Sequence, residues 1–234
     1  MTNAAVRRFY KAATVAEDGA GVMLDGRRLR TPRGNVFNAP TRGLAEAIAA
    51  EWQAQGEHIL PSTMPLTQLA FAAIDHTPQR RDELIQYIAK FGETDLVCHR
   101  AASPAPLVAR QTTCWDPMVA WALHDLGVTL PVVTGIVAAQ VPAESVETLG
   151  AHAAALDDFQ LTALSQAAGL SGSAIIAFAL IRQRIDAETA FALAFLDDLY
   201  AQETWGQDAE AQARLDRQRA EFENIARFIA ALGG

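Results

Sequence analysis

The sequence predicts an α+β protein, in which a small antiparallel β-rich N-terminal domain is followed by a larger multi-helical C-terminal domain. The first forty residues contain short apolar runs separated by Asp-Gly and Pro-Arg-Gly, which are typical of tight hairpins. Further along the chain, apolar residues recur at helical spacing. Hydrophobic residues make up 50% of the 234 residues, enough to bury a sizeable core. We place the β-rich domain, with one helix, at residues 1–60 and the all-helical domain at residues 61–234.

The N-terminal segment is predicted to form an antiparallel meander that leads into a helix. Its extended segments are residues 11–17, 21–25, 28–32 and 35–40. Thr41 follows a proline and is a good N-cap for the first helix, because its hydroxyl can accept a backbone N–H. In that helix Leu44, Ile48 and Trp52 recur every four residues and predict one apolar stripe.

Start signals of the same kind predict the later helices. Ser62 or Thr63 is expected to cap the second helix, with Pro65 in its first turn. Another helix is predicted to begin at Asp186, and a long terminal helix to run from about 208 to 232.

The segment "WDPMVAW" predicts a helix start in the middle of the chain. Asp116 is expected to be the N-cap and Pro117 to take the first helical position, where its missing N–H costs nothing. Gly127 is expected to end this helix. The following residues, 128–142, are extended and interrupted by proline and glycine, so we interpret them as an internal linker.

Cysteine usage and hydropathy predict a soluble cytoplasmic protein that is not associated with a membrane. Cys98 and Cys114 have no CxxC spacing, which favours small buried thiols in a reducing compartment. The longest apolar run, residues 174–181, is far shorter than the ~18–20 residues of a membrane span. The first fifteen residues lack the apolar segment of a secretory leader.

The net charge of −8 is unevenly distributed along the chain. Residues 1–35 contain seven Lys/Arg and three Asp/Glu, whereas residues 116–210 contain two Arg and thirteen Asp/Glu. An acidic helical half repels phosphate backbones, so we expect no nucleic-acid partner.

The motifs of nucleotide-binding and catalytic sites are absent from the sequence. It contains no Gly-Lys-Ser/Thr, no GxGxxG after a predicted strand, no GxSxG and no histidine pair at metal-ligand spacing. We therefore expect no bound nucleotide, no cofactor, no metal and no enzymatic activity. One alternative stays open, because paired carboxylates can separate their pKa values. It is a cofactor-free hydrolase or isomerase that uses Asp198 with His99 or Glu93.

The neighbouring acids Asp197 and Asp198 lie in a segment predicted to be one helix. At about 100° per residue, one face of that helix would carry Phe191, Phe195, Asp198, Gln202 and Trp205. Asp197 would lie on another, solvated face.

A lone carboxylate between aromatic rings is costly unless something pairs with it. Asp198 is therefore expected either to form an internal ion pair, for example with Arg182 or Arg184, or to accept hydrogen bonds from a binding partner. Under the second hypothesis the whole face of five residues is a partner-binding surface.

Seven segments, taken in order, resemble the family of assembly chaperones for the α subunit of the F1-ATPase. They are "RFYK" (8–11), "LDGRRLRTP" (24–32), "LAEAIAAEWQAQ" (44–55), "MPLTQLAFAAID" (64–75), "ETDLVCHR" (93–100), "WDPMVAW" (115–121) with Gln111 before it, and "LDDLYAQETWG" (196–206). The resemblance covers nearly the whole chain.

This resemblance implies a non-enzymatic chaperone that holds newly made α subunit, and prevents its self-association, until the β subunit replaces it. It also implies a β-rich N-terminal and a helical C-terminal domain. Asp198 stands where the family has a functionally important glutamate, and Ala201 stands where a glutamine is common. A generic adaptor for another protein partner remains the second alternative.

Overall fold

The structure, a computed structural model, describes residues 6–135, 139–206 and 208–233. It begins with a three-stranded antiparallel sheet of β1 (Ala13–Val15), β2 (Val22–Leu24) and β3 (Arg27–Arg28), in that order. Asp25 and Gly26 form the two-residue turn between β2 and β3, both with positive φ (46° and 79°), as a type I′ hairpin requires. The predicted meander is thus confirmed, and its fourth segment is reduced to a single bridge between Arg30 and Val36.

In the described part of the chain ten α-helices follow the sheet, which confirms the predicted fold class. They are α1 (Arg42–Gln53), α2 (Pro65–Asp75), α3 (Arg81–Glu93), α4 (Ala105–Trp121), α5 (Ala143–Ala154), α6 (Asp158–Ser171), α7 (Ala174–Ile181), α8 (Ala187–Ala194), α9 (Leu196–Trp205) and α10 (Ala209–Leu232). A π-helical turn, Ala122–Leu126, extends α4 and ends, as predicted, at Gly127 with φ 69°.

A second small sheet was not predicted. Its strands β4 (His99–Arg100) and β5 (Val133–Thr134) pair in parallel. The segment 128–142, which we interpreted as a linker, therefore contributes a strand, and its residues 136–138 lie outside the described residues.

The core is centred on α7, whose eight residues are all buried. The α6 and α8 helices pack against it, and α10 crosses both of them. The same buried cluster includes Phe37 and Leu44 from the N-terminal part and Phe222 and Phe228 from α10. The division into domains at residue 60 stays a prediction.

One predicted helix cap and two predicted helix starts are confirmed. The Thr41 hydroxyl accepts the Leu44 N–H (3.2 Å) at the start of α1. The carboxylates of Asp186 and Asp208 cap α8 and α10 in the same way. Each of these caps is local, which is why the sequence reveals them.

The predicted cap of α2 is wrong. Ser62 and Thr63 lie in a separate 3-10 turn before the helix. The first amides of α2 donate instead to the buried Glu51 carboxylate on α1: Leu66 N–H to Oε1 (2.9 Å) and Thr67 N–H to Oε2 (2.8 Å). A tertiary contact has replaced the local cap, although the proline does occupy the first helical position as predicted.

The predicted helix start at Asp116 is also wrong, because Asp116 and Pro117 lie inside α4. The Asp116 carboxylate accepts a hydrogen bond from the buried Arg100 (2.8 Å). Pro117 has no N–H, so the carbonyl of Thr113 receives no backbone donor four residues on. An Asp-Pro pair indicates a helix start when the aspartate caps that helix. Here the Asp116 carboxylate instead accepts a hydrogen bond from Arg100, which is distant in the sequence.

Candidate partner-binding surface

The acid pair lies at a helix start, because the predicted single helix is broken. Helix α8 ends at Ala194 and α9 begins at Leu196, with Phe195 (φ −111°, ψ 25°) between them. Asp197 and Asp198 therefore occupy the first turn of α9, where the helix dipole favours negative charge. The expected continuous face of five residues is wrong for the same reason, since a fixed angle per residue does not hold across the break.

Phe191 and Phe195 lie in the core rather than on the surface. Their side chains are only 1% and 8% exposed, and their ring centroids are 5.3 Å apart. The Arg219 guanidinium of α10 lies 4.5 Å from the Phe191 ring centroid. These two rings pack beneath the α8–α9 junction. They are buried and are not available as contact residues.

Asp198 is half-exposed and paired within the chain. Its Oδ1 accepts from Arg214 Nη2 of α10 at 2.5 Å, and the side chains are 41% and 46% exposed respectively. The expectation of an internal ion pair is thus confirmed, although the arginine comes from α10 and is neither Arg182 nor Arg184, the two examples considered. Exposed ion pairs contribute about 0–1 kcal/mol, so this pair can exchange for a partner's cation at little cost.

Asp197 connects α9 to α4, a role that the sequence did not reveal. Its Oδ1 accepts from Gln111 Nε2 (2.8 Å), and the Gln111 carbonyl oxygen accepts the N–H of Ala101 (2.7 Å). The nearby Trp115 indole donates to the backbone carbonyl of Leu193 (3.0 Å) at the end of α8. The α8–α9 junction is therefore fixed on α4 by side chains from the family-like segments.

A second ion pair fixes the middle of α9. Arg110 of α4 donates to Glu203 (2.6 Å), and its guanidinium lies 5.3 Å from the Tyr200 ring centroid. The hydrogen bond from Arg110 holds the pKa of Glu203 below its usual value. The helix is thus held in one orientation, with Asp198 directed toward α10.

One side of α9 carries three chemically different side chains. Trp205, its last residue, is 86% exposed, the largest exposure of any large hydrophobic side chain in the described ranges. Gln202 has its Nε2 buried without a hydrogen-bond partner in the described part of the chain. Asp198, Gln202 and Trp205 are spaced four and three residues apart and share one side of α9. We refer to these three residues as the α9 surface.

The α9 surface has the chemistry of a protein contact. An exposed indole is the kind of side chain that carries binding energy in interfaces. The carboxylate can accept from an arginine or from free backbone amides. Of the five residues expected to bind a partner, the structure thus brings three together at the surface and places Phe191 and Phe195 below them.

The described contacts provide no catalytic constellation around Asp198. Helix α9 packs on α4 and α8, whereas Glu93 ends α3 and His99 lies in β4. No described hydrogen bond joins either residue to Asp198.

Within residues 6–135, 139–206 and 208–233, no group of three or more His, Cys, Asp or Glu side chains is placed to hold a metal ion. In the same ranges no helix is long and apolar enough to cross a membrane.

Comparison with known proteins identifies similar chains. Residues 7–123 match the family described as ATP12 chaperone protein. The "Protein atp12, mitochondrial" of Schizosaccharomyces pombe is 29% identical over 219 residues, which cover 86% of this chain and 74% of the relative. The crystal structure of Atp12 from Paracoccus denitrificans is 39% identical, with a TM-score of 0.92 and coverage of 97% and 98%. A mutant of the P. denitrificans protein has the same coverage and TM-score at 38% identity.

Proposed function

The chain belongs to the ATP12 family of ATP synthase assembly chaperones, and we propose that it binds the unassembled α subunit of F1. In this proposal the chaperone covers the α subunit, prevents its self-association, and is replaced by the β subunit. The observation that carries the proposal is the α9 surface, where the strongly exposed Trp205 shares one side of the helix with a half-exposed carboxylate.

Binding at the α9 surface has a clear physical basis. Asp198 is held only by an exposed arginine, so an arginine or backbone amides of the α subunit can take over its hydrogen bond. Burial of the Trp205 ring removes a large apolar area from water. The two contacts together favour a protein partner over a small molecule.

Co-expression with isolated α subunit, followed by size exclusion, tests the proposal. The parent should co-elute with the α subunit. Asp198→Asn keeps the side-chain size and removes the charge, so it should weaken capture, whereas Asp198→Glu should retain it. Asp197→Asn is the matched control, since an asparagine can still accept from Gln111. A parent chain that never co-elutes with the α subunit, while a lysate pull-down yields a different protein, would instead identify an adaptor.

We further propose that the chaperone works by binding alone, without ATP and without turnover of a substrate. The sequence lacks a glycine-rich phosphate cradle, and the helical half is acidic. Calorimetry with ATP should detect no stoichiometric binding at micromolar concentrations. Stoichiometric heat release would contradict this part of the proposal.

We propose the cytoplasm as the compartment of this activity. The relative from S. pombe is named as mitochondrial, so the matrix is the competing assignment. Cell fractionation with an antibody to this chain distinguishes the two.

A further inference from the structure

A groove lies between α4 and α8 and reaches Leu193, near the α8–α9 junction. Its volume is about 480 Å³, within the range of protein ligand sites. The apolar walls are formed mainly by Pro117, Met118, Trp121, Ile185, Ala192 and Leu193. Neither the core packing nor the α9 surface uses this space.

The groove and helix α9 lie along the same helix, α4. Cys114 lines the end of the groove, and it is one helical turn from Arg110, which pairs with Glu203 of α9. A polypeptide that contacts α9 can therefore continue along α4 into the groove. A small molecule confined to the groove would make no contact with α9, so the shared helix favours a polypeptide.

The charges at the rim of the groove indicate what the occupant carries. Glu188, in the first turn of α8, already pairs with Arg219 (3.1 Å). Arg184, in the turn that precedes α8, is exposed and, in the described part of the chain, forms no ion pair. Since Glu188 is neutralised and Arg184 is not, the rim offers a positive charge.

Arg184 is unusual in the acidic half of the molecule. Residues 116–210 contain only one other arginine, Arg182, and it donates to the Asp125 carbonyl (3.4 Å) and contacts the His152 ring nitrogen (3.2 Å). The turn that presents Arg184 contains Gln183 with φ 55°, a left-handed conformation that is uncommon for a residue other than glycine. The chain thus holds this cation at the groove and leaves it available.

We propose that the α4–α8 groove binds an apolar segment of the captured α subunit that carries an Asp or Glu, whose carboxylate pairs with Arg184. This inference rests on the proposed function and adds a second contact region to the α9 surface. The apolar side chains of the segment fill the groove, and the carboxylate fixes its direction along α4.

Two substitutions test the groove without disturbing the core. Ala192→Asp places a negative charge in the apolar wall at an exposed position of α8, and Arg184→Glu reverses the charge at the rim. Each should weaken binding of isolated α subunit by about tenfold, as expected for a lost charge-assisted contact or a buried unpaired charge. The matched controls are Ala50→Asp on the exposed side of α1 and Arg27→Glu in the β2–β3 hairpin, which should bind like the parent.

The native cysteines give an independent readout. Cys114 is half-exposed at the groove, whereas Cys98 is buried and serves as the internal reference. Bound α subunit should slow the alkylation of Cys114 by iodoacetamide. Circular dichroism of each variant verifies that the fold is retained.

The possible results separate this inference from the proposed function. If the parent binds α subunit, and both groove variants bind equally well with Cys114 unprotected, the groove inference is overturned and the proposed function stands. If the groove variants change the oligomeric state of the free chain, the occupant is a second copy and the inference is again wrong. A parent that does not bind α subunit at all overturns both.

Discussion

Glu51 and Asp198 are carboxylates from two family-like segments, and they lie in very different surroundings. Glu51 is buried and accepts three hydrogen bonds, from the amides of Leu66 and Thr67 and from the Thr67 hydroxyl. Asp198 is half-exposed and accepts one bond, from an arginine that is itself exposed. Both residues are acids that a motif comparison would treat alike.

This difference shows that membership in a family-like segment does not separate folding from binding, whereas burial and the number of donors do. A carboxylate with several buried donors stabilises the fold, because its loss leaves those donors without an acceptor. A carboxylate with one exposed donor contributes little to stability and remains available to another molecule. The comparison is tested by perturbing acids that differ in burial, from the largest expected effect to the smallest.

Glu51→Ala should give the largest loss of stability. It removes the cap of α2 and leaves two buried amides and a hydroxyl without their acceptor, so the free energy of unfolding should fall by about 4 kcal/mol. Urea denaturation measures this change. Glu46→Ala, at an exposed position of the same helix, is the control and should change stability little. An equally small loss of stability for Glu51→Ala would show that burial does not identify the acids that stabilise this fold.

Asp95 should make stability depend on pH. Burial raises its pKa to about 6, although the Ser173 hydroxyl and the amides of Ile175 and Val97 donate to it. The native state therefore binds a proton more tightly than the unfolded chain. The resulting stabilisation is present below the unfolded pKa near 4 and is lost as pH rises through about 6, a change on the order of 3 kcal/mol.

Asp95→Asn isolates this contribution. Asparagine does not titrate, and its amide nitrogen faces the Ile175 N–H, which donates to the second carboxylate oxygen in the parent. The variant should be less stable than the parent at pH 4, and its stability should vary less between pH 4 and 7. Denaturation curves across that range measure both effects, and identical pH slopes for the two chains would mean that the pKa of Asp95 is the same in the native and unfolded states.

Asp116→Ala should have an intermediate effect through Arg100 rather than through a helix cap. The Arg100 side chain is 4% exposed, whereas that of Asp116 is 56% exposed, so the pair is partly screened. We expect a loss of about 1 kcal/mol, because the guanidinium keeps its bond to the Val97 carbonyl. The loss should shrink in 1 M salt. A loss that salt leaves unchanged would instead favour a local hydrogen-bonding role for Asp116.

The sequence predicts those parts of the fold that depend on neighbouring residues. The hairpin turn at Asp25-Gly26 and the caps at Thr41, Asp186 and Asp208 each need only a few consecutive residues. The meander and the terminal helix were therefore predicted correctly. The parallel pairing of β4 with β5 joins segments more than thirty residues apart, and no local signal in either segment identifies the other as its partner.

The candidate site was only partly predictable for the same reason. That Asp198, Gln202 and Trp205 share one side follows from helical spacing within α9. The break at Phe195 moved Phe191 and Phe195 into the core. An acid pair is typical of a first helical turn, so Asp197-Asp198 was itself a signal for this break. The hydrogen bonds from Gln111 to Asp197 and from Arg214 to Asp198 are tertiary contacts, for which the sequence has no local signal.

The smallest effect on stability is expected for the pair of Asp198 and Arg214. A double-mutant cycle with Asp198→Asn and Arg214→Gln should give a coupling energy of about half a kcal/mol, since both side chains are more than a third exposed.

The same variants should affect α-subunit capture in opposite directions. Asp198→Asn removes the acceptor, whereas Arg214→Gln removes the intramolecular competitor and leaves the carboxylate free for the partner. Capture by Arg214→Gln should therefore equal or exceed that of the parent. If Arg214→Gln instead loses capture as Asp198→Asn does, with both variants folded, the intact pair is what the partner recognises. A coupling energy several times larger than expected would place Asp198 with Glu51 among the acids that hold the fold.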